Sequence, residues 1–350
     1  MSWMSNTTQL DNATLAMFKD RTFSHFVSAV YVVVILVNFV SNGLSLWLLV
    51  FRTSPKTPTI VFMINLTLTD LAMASVLPFQ ITYQMNGYDW TLGSDLCNLL
   101  TVVFYANMYC SILTMTAISI DRYLGIVKPL LFREIRENTT YAVVCCMVMW
   151  GVVLAVLYPM ESTDLTFKVK DLNITTCFDV LKKDMLPSLA AWALVMFVMF
   201  VALFLIPFLV TIFCYVSIIW KLSKDAADDQ KSRAIRLAFT VLFVFIVCFA
   251  PNNILLIAHA MRRLFHNKSL YMAYKISLLL SCLNSCLDPF IYYFACREFR
   301  NKLRRMLNLR ALSSTDHTLG HKDSIFSSRS PSHEQEEEIL KCLQNGQTSM

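Results

Sequence analysis

Seven stretches of this 350-residue chain are long enough and apolar enough to cross a lipid bilayer as helices. They run from Ser24 to Phe51, Ile60 to Tyr83, Leu96 to Val127, Tyr141 to Pro159, Leu189 to Trp220, Ala234 to Met261 and Leu270 to Phe294. A bilayer's hydrocarbon core takes about 20 residues of helix to span. Open strands are excluded there, because unpaired backbone is too costly without water. Composition agrees: 56% of the residues are hydrophobic and only 15% are charged, against roughly 25% in soluble domains. So few charges cannot cover a water-facing surface, which excludes soluble domains, a disordered chain and a disulfide-dense secreted scaffold. The expected fold is an all-α membrane protein, a bundle of seven transmembrane helices. Pro78, Pro207, Pro251 and Pro289 fall inside the spans, where neighbouring helices can satisfy the freed carbonyls.

Before Ser24 no cleavable signal pattern is visible, so the first span is expected to act as its own insertion signal. Loop charge sets the orientation. Arg52 and Lys56, then Lys128, Arg133 and Arg136, the run from Lys221 to Arg236 and the run from Arg297 to Arg310 outnumber the basic residues of the opposite loops. The richer side is cytoplasmic, which places the N-terminus outside and the C-terminus inside. Asn-Xaa-Ser/Thr acceptors at Asn6, Asn12, Asn173 and Asn267 all fall on the outer side, whereas those at Asn65 and Asn138 fall in a span and inside. Of eleven cysteines, this topology leaves only Cys97 and Cys177 facing the oxidising side. A disulfide between them would pin the loop after the fourth span over the helix mouth, at about 3–5 kcal/mol by chain entropy. The alternative is two free thiols. Cys110, Cys145, Cys146, Cys214, Cys248, Cys282 and Cys286 match no zinc spacing and read as small packing residues.

Four regions follow: an outer tail at residues 1–23, the membrane domain at 24–294, an amphipathic segment at 295–310 and a disordered cytoplasmic tail at 311–350. Basic residues alternate with Phe299, Leu303, Met306 and Leu307 in the amphipathic segment, which suits a helix lying on anionic inner-leaflet lipids. The tail carries a Ser-rich run from Ser324 to Ser332 and an acidic patch from Glu334 to Glu338.

Charges at membrane depth are expensive and mark function by default. Asp70, Asp121, Arg122 and Asp288 are the ones that matter. Asp121, Arg122 and Tyr123 close the third span at its cytoplasmic end, where the pair is either a latch or an ordinary helix-end pair reaching the interface. Asp70 and Asp288 lie mid-membrane with Asn42, Asn107, Ser111, Asn284 and Ser285 in reach. Two carboxylates among such oxygens can bind sodium or share a proton, or can form a purely structural network. There is no His/Cys metal set, Gly-rich phosphate loop or Ser-His-Asp constellation, so the chain is not expected to be an enzyme.

Together these motifs resemble the rhodopsin-like G-protein-coupled receptors. The resemblance rests on Asn42, Leu66-Thr67-Leu68-Thr69-Asp70, Asp121-Arg122-Tyr123, Trp150, Pro207, Tyr215, Cys248-Phe249-Ala250-Pro251 and Asp288-Pro289-Phe290-Ile291-Tyr292. Within that class, Phe62 to Leu66 and Phe104 to Tyr109 look like the purinoceptors and their lysophospholipid-receptor relatives. Phe249 to Asn253 and Thr176 to Val180 resemble one branch of that group most closely. The resemblance implies that Arg122 is an ionic latch and then a G-protein contact, together with Asp121, Tyr123, Leu130, Tyr215 and Tyr292. It implies a sodium pocket at Asp70, Asn107, Ser111, Asn284 and Asp288, and a switch at Phe249 with Pro207, Pro251, Asn284, Asp288 and Pro289. Ser41 stands where the family has glycine, and Phe249 where many members have tryptophan. Phe104 occupies the place of the aspartate that amine receptors use, which disfavours a cationic amine. Asn252, Asn253 and Leu256 occupy the stretch where nucleotide-binding members carry histidine and a base.

The outer third of the bundle offers Gln80, Tyr83, Phe104, Tyr105, Tyr109, Asn252, Asn253, His259 and Tyr274, rimmed by basic groups that include Lys182 and Lys275. A basic rim over an apolar shaft suits an anionic head group on a hydrocarbon chain, of lysophospholipid or prenylated-peptide type. The sequence therefore reads as a multi-pass plasma-membrane receptor for an anionic, lipid-like ligand, coupled to heterotrimeric G protein of the twelve/thirteen class. A nucleotide-activated receptor is the alternative, and a seven-span transporter or channel a distant one. Arrestin and receptor kinases are expected on the Ser-rich tail, and membrane lipids around the bundle. No nucleic acid and no required cofactor are expected, with sodium as an allosteric ligand.

Overall fold

The computed structural model of the protein describes residues 12–129, 139–179, 189–225, 228–266 and 270–306. The chain divides into two compact units, Met1–Lys302 and Leu303–Met350, and all of the membrane spans lie in the first. A short helix α1 (Asn12–Lys19) precedes α2 (Arg21–Trp47), which continues as a π-helical turn through Leu48–Arg52. Then come α3 (Pro58–Met85), α4 (Ser94–Val127) and α5 (Thr139–Glu161). Strands β1 (Thr166–Val169) and β2 (Ile174–Cys177) form a hairpin before α6, which runs as Leu189–Met199, a π segment Phe200–Leu205 and Ile206–Asp225. Helix α7 is built the same way, as Asp228–Val244, a π segment Phe245–Phe249 and Ala250–His266. Helices α8 (Tyr271–Ala295) and α9 (Arg297–Met306) complete the described chain.

Among the described residues, six helices have the length and apolar composition to cross a membrane: Arg21–Arg52, Pro58–Met85, Ser94–Val127, Thr139–Glu161, Ala193–Lys224 and Lys231–His259. The seventh, α8, is long enough at 25 residues but carries Lys275, Ser277, Ser281, Asn284, Ser285 and Asp288. All six of these are buried, so the polarity of α8 faces its neighbours and not lipid. Helix α2 shows the inversion that lipid demands. Asn38 and Asn42 are fully buried, while Leu36 and Val40 are 62% and 72% exposed. Lipid solvates apolar side chains as well as a protein core does, so interhelical polar contacts supply the specificity.

Those contacts can be traced from helix to helix. Asn38 Nδ2 donates to the Asp70 carbonyl at 3.0 Å and Asn42 Nδ2 to the Ser285 carbonyl at 2.8 Å, joining α2 to α3 and α8. Trp150 Nε1 donates to Asn65 Oδ1 at 2.9 Å, and Asn65 Nδ2 donates in turn to Thr114 Oγ1 at 3.0 Å. One asparagine thus ties α3, α4 and α5 together.

Two features differ from the sequence expectation at the outer end. Residues 1–23 read as a tail, yet 12–19 are helical, with Met17 and Phe18 buried and the Phe18 ring 5.3 Å from that of Tyr88. Helix α2 also starts three residues before Ser24, because the Asp20 carboxylate caps it, accepting from the Thr22 and Phe23 amides at 2.9 and 3.2 Å. The second feature is the hairpin, which the sequence reading lacks. Its register pairs Thr166 with Cys177 and Val169 with Ile174. Asn98 of α4 holds its approach by donating to the carbonyls of Glu161 and Thr163, each at 2.9 Å.

Candidate functional site

Cys97 at the outer start of α4 is bonded to Cys177 at the end of β2, with Cα atoms 5.7 Å apart across 80 residues of chain. The expected disulfide is therefore present. It anchors the end of β2 to α4 and brings Phe178 and Asp179 over the bundle. Trp90 adds a second tether, its amide donating to the Thr175 carbonyl at 2.6 Å.

Beneath this loop lies a cleft of about 530 Å³, its open mouth included, walled by α2, α3, α4, α8 and Cys177–Asp179. Five expected ligand residues line it: Gln80, Phe104, Tyr105, Tyr274 and Lys275. Met73, Val76, Leu77, Leu100 and Leu278 supply an apolar wall. The other candidates support the wall from behind or below. Tyr109 donates to Asn253 Oδ1 at 3.2 Å, Asn252 Nδ2 to Met108 Sδ at 3.1 Å, and Tyr105 shares a 2.5 Å hydrogen bond with Tyr274. His259 accepts from the Leu270 amide at 3.0 Å and stacks on Tyr274. Lys182 lies outside the described residues, as do Asn6, Leu130, Asn267, the Ser-rich tail and the side chains of Asn12 and Tyr292. Asn173 is exposed at the turn between the two strands.

The structure corrects one expectation here. Lys275 is not a rim residue. Its Nζ lies 2.6 Å from Asp179 Oδ1, and the two side chains are only 6% and 3% exposed. Tyr83 donates to the other carboxylate oxygen, Asp179 Oδ2, at 2.6 Å. A lysine taken into the bundle wall needs a counter-charge, and the disulfide-anchored loop delivers it. Sequence reading missed Asp179, although it lies two residues beyond Cys177. Nearby Tyr88, in the turn between α3 and α4, has its phenol pushed well above the ordinary value by burial and then by the Asp179 carboxylate.

Midway through the bundle the expected polar residues converge. Asn107 Nδ2 donates to Asp70 Oδ1 at 3.2 Å and Asn284 Nδ2 to Asp288 Oδ2 at 3.3 Å. The Asp70 and Asp288 carboxyls share this core, within electrostatic reach of each other. Asp70 Oδ2, Ser111 Oγ, Asn284 Oδ1 and Asp288 Oδ1 are buried without a hydrogen-bond partner among the described residues. Such an oxygen-rich set fits a small hard cation of low charge. No cluster of three or more His, Cys, Asp or Glu suited to a transition metal occurs among the described residues.

Above this core, Phe249 is fully buried and meets Phe245 edge-on at 5.9 Å. Phe245 in turn packs 5.6 Å from Phe208 on α6. Each π segment ends just before a helical proline: the Ile206 amide reaches back five residues to Val201, and the Ala250 amide to Phe245. Pro207 and Pro251 follow immediately. A π turn admits one extra residue and so relieves the clash of a proline ring with the preceding turn. At the inner end, Asp121 Oδ2 accepts from Thr59 Oγ1 of α3 at 2.6 Å. Arg122 is half-buried, with buried Tyr215 near it. Tyr123 lies 5.6 Å from Phe213.

Residues 41–292 match the family described as 7 transmembrane receptor (rhodopsin family). The chain belongs to that family. This receptor is 48% identical over 332 residues to purinoceptor 8 of Gallus gallus, across 94% of its own length and 92% of the relative's. It is 49% identical over 330 residues to the S-geranylgeranyl-glutathione receptor of Homo sapiens, across 93% and 91% of the two chains. Proteinase-activated receptor 2 of Rattus norvegicus is 37% identical over 340 residues, across 92% and 84%. The branch resemblance seen at Phe249–Asn253 and Thr176–Val180 agrees with the first two. The protein is a multi-pass membrane receptor that answers an extracellular ligand through G protein, and it is not an enzyme.

Proposed function

We propose that this receptor sits in the plasma membrane and answers an amphipathic, acidic, lipid-like ligand by activating heterotrimeric G protein of the twelve/thirteen class. The observation that carries the reading is the make-up of the outer cleft. Its wall is apolar along Met73, Val76, Leu77, Leu100 and Leu278, and its one cation among the described lining residues is Lys275. A nucleotide's phosphates would want several inward-facing basic groups. One lysine already held by Asp179 serves them poorly, whereas an acidic head group of low net charge on a long hydrocarbon chain suits both the charge and the wall. The name of the human relative, a receptor for a prenylated glutathione, supports the same ligand chemistry.

In this reading Gln80, Phe104, Tyr105, Tyr274 and Lys275 meet the ligand. Asp70, Asn107, Ser111, Asn284 and Asp288 hold sodium in the resting state, and Phe249 with Pro251 transmits the change. Arg122, Asp121, Tyr123 and Tyr215 form the inner contact, joined by Leu130 and Tyr292. Arrestin and receptor kinases act on the serines from Ser324 to Ser332, where phosphorylation would add a dense negative patch. Asn6, Asn12, Asn173 and Asn267 are the acceptors for glycans.

Guanine-nucleotide exchange on purified G protein, using membranes that carry the receptor, tests this directly. S-geranylgeranyl-glutathione or a lysophosphatidate should drive exchange at lower concentration than adenine or uracil nucleotides, and on the twelve/thirteen class before the inhibitory class. Activation by an unmodified nucleotide with the prenylated and acyl ligands silent would restore the purinoceptor reading.

A further inference from the structure

The Lys275–Asp179 pair lines the cleft and is not merely buried near it, because both residues form part of the wall. That placement constrains what can bind. An anion that captures Lys275 alone pulls it from Asp179 and leaves a buried carboxylate facing added negative charge. A cation that captures Asp179 alone strands the lysine in the same way. Breaking a buried pair by removing one partner is costly for this reason, since the remaining charge has neither water nor counter-ion. A head group carrying one ammonium and one carboxylate avoids both penalties. Its charges replace the pair's charges one for one, and the net charge of the cleft is unchanged.

Local geometry leaves each partner able to make the exchange. Asp179 Oδ2 stays on the Tyr83 hydroxyl at 2.6 Å, itself held by the Cys177 amide at 3.3 Å, so the carboxylate keeps its position while Oδ1 turns to a new donor. Lys275 Nζ lies 5.8 Å from the Tyr83 ring and 6.0 Å from the Tyr88 ring, whose faces favour the cation after it leaves Asp179. Met73, Leu77 and Leu278 then face the hydrocarbon part of the ligand. We propose that Lys275 and Asp179 read a zwitterionic, amino-acid-like head group, Asp179 taking its ammonium and Lys275 its carboxylate. This rests on the lipid-like ligand class proposed above and narrows it: the head group is dipolar, not simply anionic.

The test compares S-geranylgeranyl-glutathione with its N-acetylated form and its γ-glutamyl α-carboxamide, the glycyl carboxylate kept in all three, in G-protein exchange by the full-length receptor at matched surface level. N-acetylation removes the ammonium and should weaken potency by about 10- to 100-fold, the range of one lost charge-assisted hydrogen bond. In Asp179→Asn, which keeps the shape and the Tyr83 contact, the acetylated and free ligands should become equipotent. In Lys275→Gln the penalty for converting the γ-glutamyl α-carboxylate to its amide should vanish, while the N-acetyl penalty remains. Equal potency of the two ligands on the unaltered receptor overturns the proposal by itself, even where a variant fails to reach the surface. An N-acetyl penalty undiminished in Asp179→Asn also overturns it. Silence towards the unmodified prenylated ligand sinks the ligand class and this inference together, whereas activation without regard to the ammonium sinks only the latter.

Discussion

At the scale of single residues, the inner end turns on Arg122 and its neighbours. Thr59 fixes the Asp121 carboxylate from α3 at 2.6 Å, and that holds the acid in place whatever the arginine does. Arg122 itself is half-buried at the bundle's end, where a truncated side chain leaves no closed cavity. Arg122→Ala should therefore abolish receptor-driven nucleotide exchange while surface expression stays near normal, as measured on membranes at equal receptor density. Exchange undiminished at equal density would remove Arg122 from the coupling surface. Asp70, Asp121, Arg122 and Asp288 were all legible in the sequence, because a charge inside an apolar run has few explanations. Asp179 was not. A carboxylate in a loop after the fourth span is ordinary in water, and only the Cys97–Cys177 bond reveals that this one lies beneath the mouth. The same blindness hid the burial of Lys275, since helix phase near a polar, aromatic end of α8 does not say which side faces inward.

At the scale of elements, lipid makes helices easy to read and their irregularities hard. A span must satisfy its own backbone, so length and apolarity mark out the helices. Hairpin β1–β2 offers only four residues a strand, and α1 only eight. Neither has enough periodicity to stand out. The prolines were legible but their π turns were not, because the extra residue is an answer to packing and leaves no compositional mark. In α7 the π segment Phe245–Phe249 sits directly before Pro251 and carries the aromatic contacts to α6. Ser281 of α8 also donates to the Cys248 carbonyl at 2.9 Å, meeting a backbone group loosened by the irregular turn. Pro251→Ala restores the missing N–H and removes the ring clash, which favours a regular helix through this region. The expected outcome is a lower maximal exchange response with equal or higher thermal stability in detergent. An unchanged maximum would mean that the pivot lies elsewhere.

At the scale of the whole molecule, one polar core lies between the outer cleft and the inner Asp121 and Arg122 among the described residues. Asn42 binds the Ser285 carbonyl, Asn107 binds Asp70 and Asn284 binds Asp288, so α2, α3, α4 and α8 all enter it. Two carboxyls that approach each other out of water repel unless a proton or cation lies between them. In the proposed reading, sodium lies among the unpartnered oxygens of Asp70, Ser111, Asn284 and Asp288 while the receptor is at rest. A pivot of α7 that shifts α8 through Ser281 would change the spacing of that shell and weaken the ion's hold. Because coupling between two ligands is reciprocal, an ion that prefers the resting state must oppose any agonist that prefers the pivoted one. Replacing potassium chloride by sodium chloride at constant ionic strength should therefore raise the thermal midpoint of the ligand-free receptor and weaken agonist potency. Asp70→Asn, which keeps the amide-to-carboxyl geometry but removes a charge, should erase both effects. If that variant keeps the full sodium response in melting and in exchange, the ion acts at another site and the core is a structural network alone.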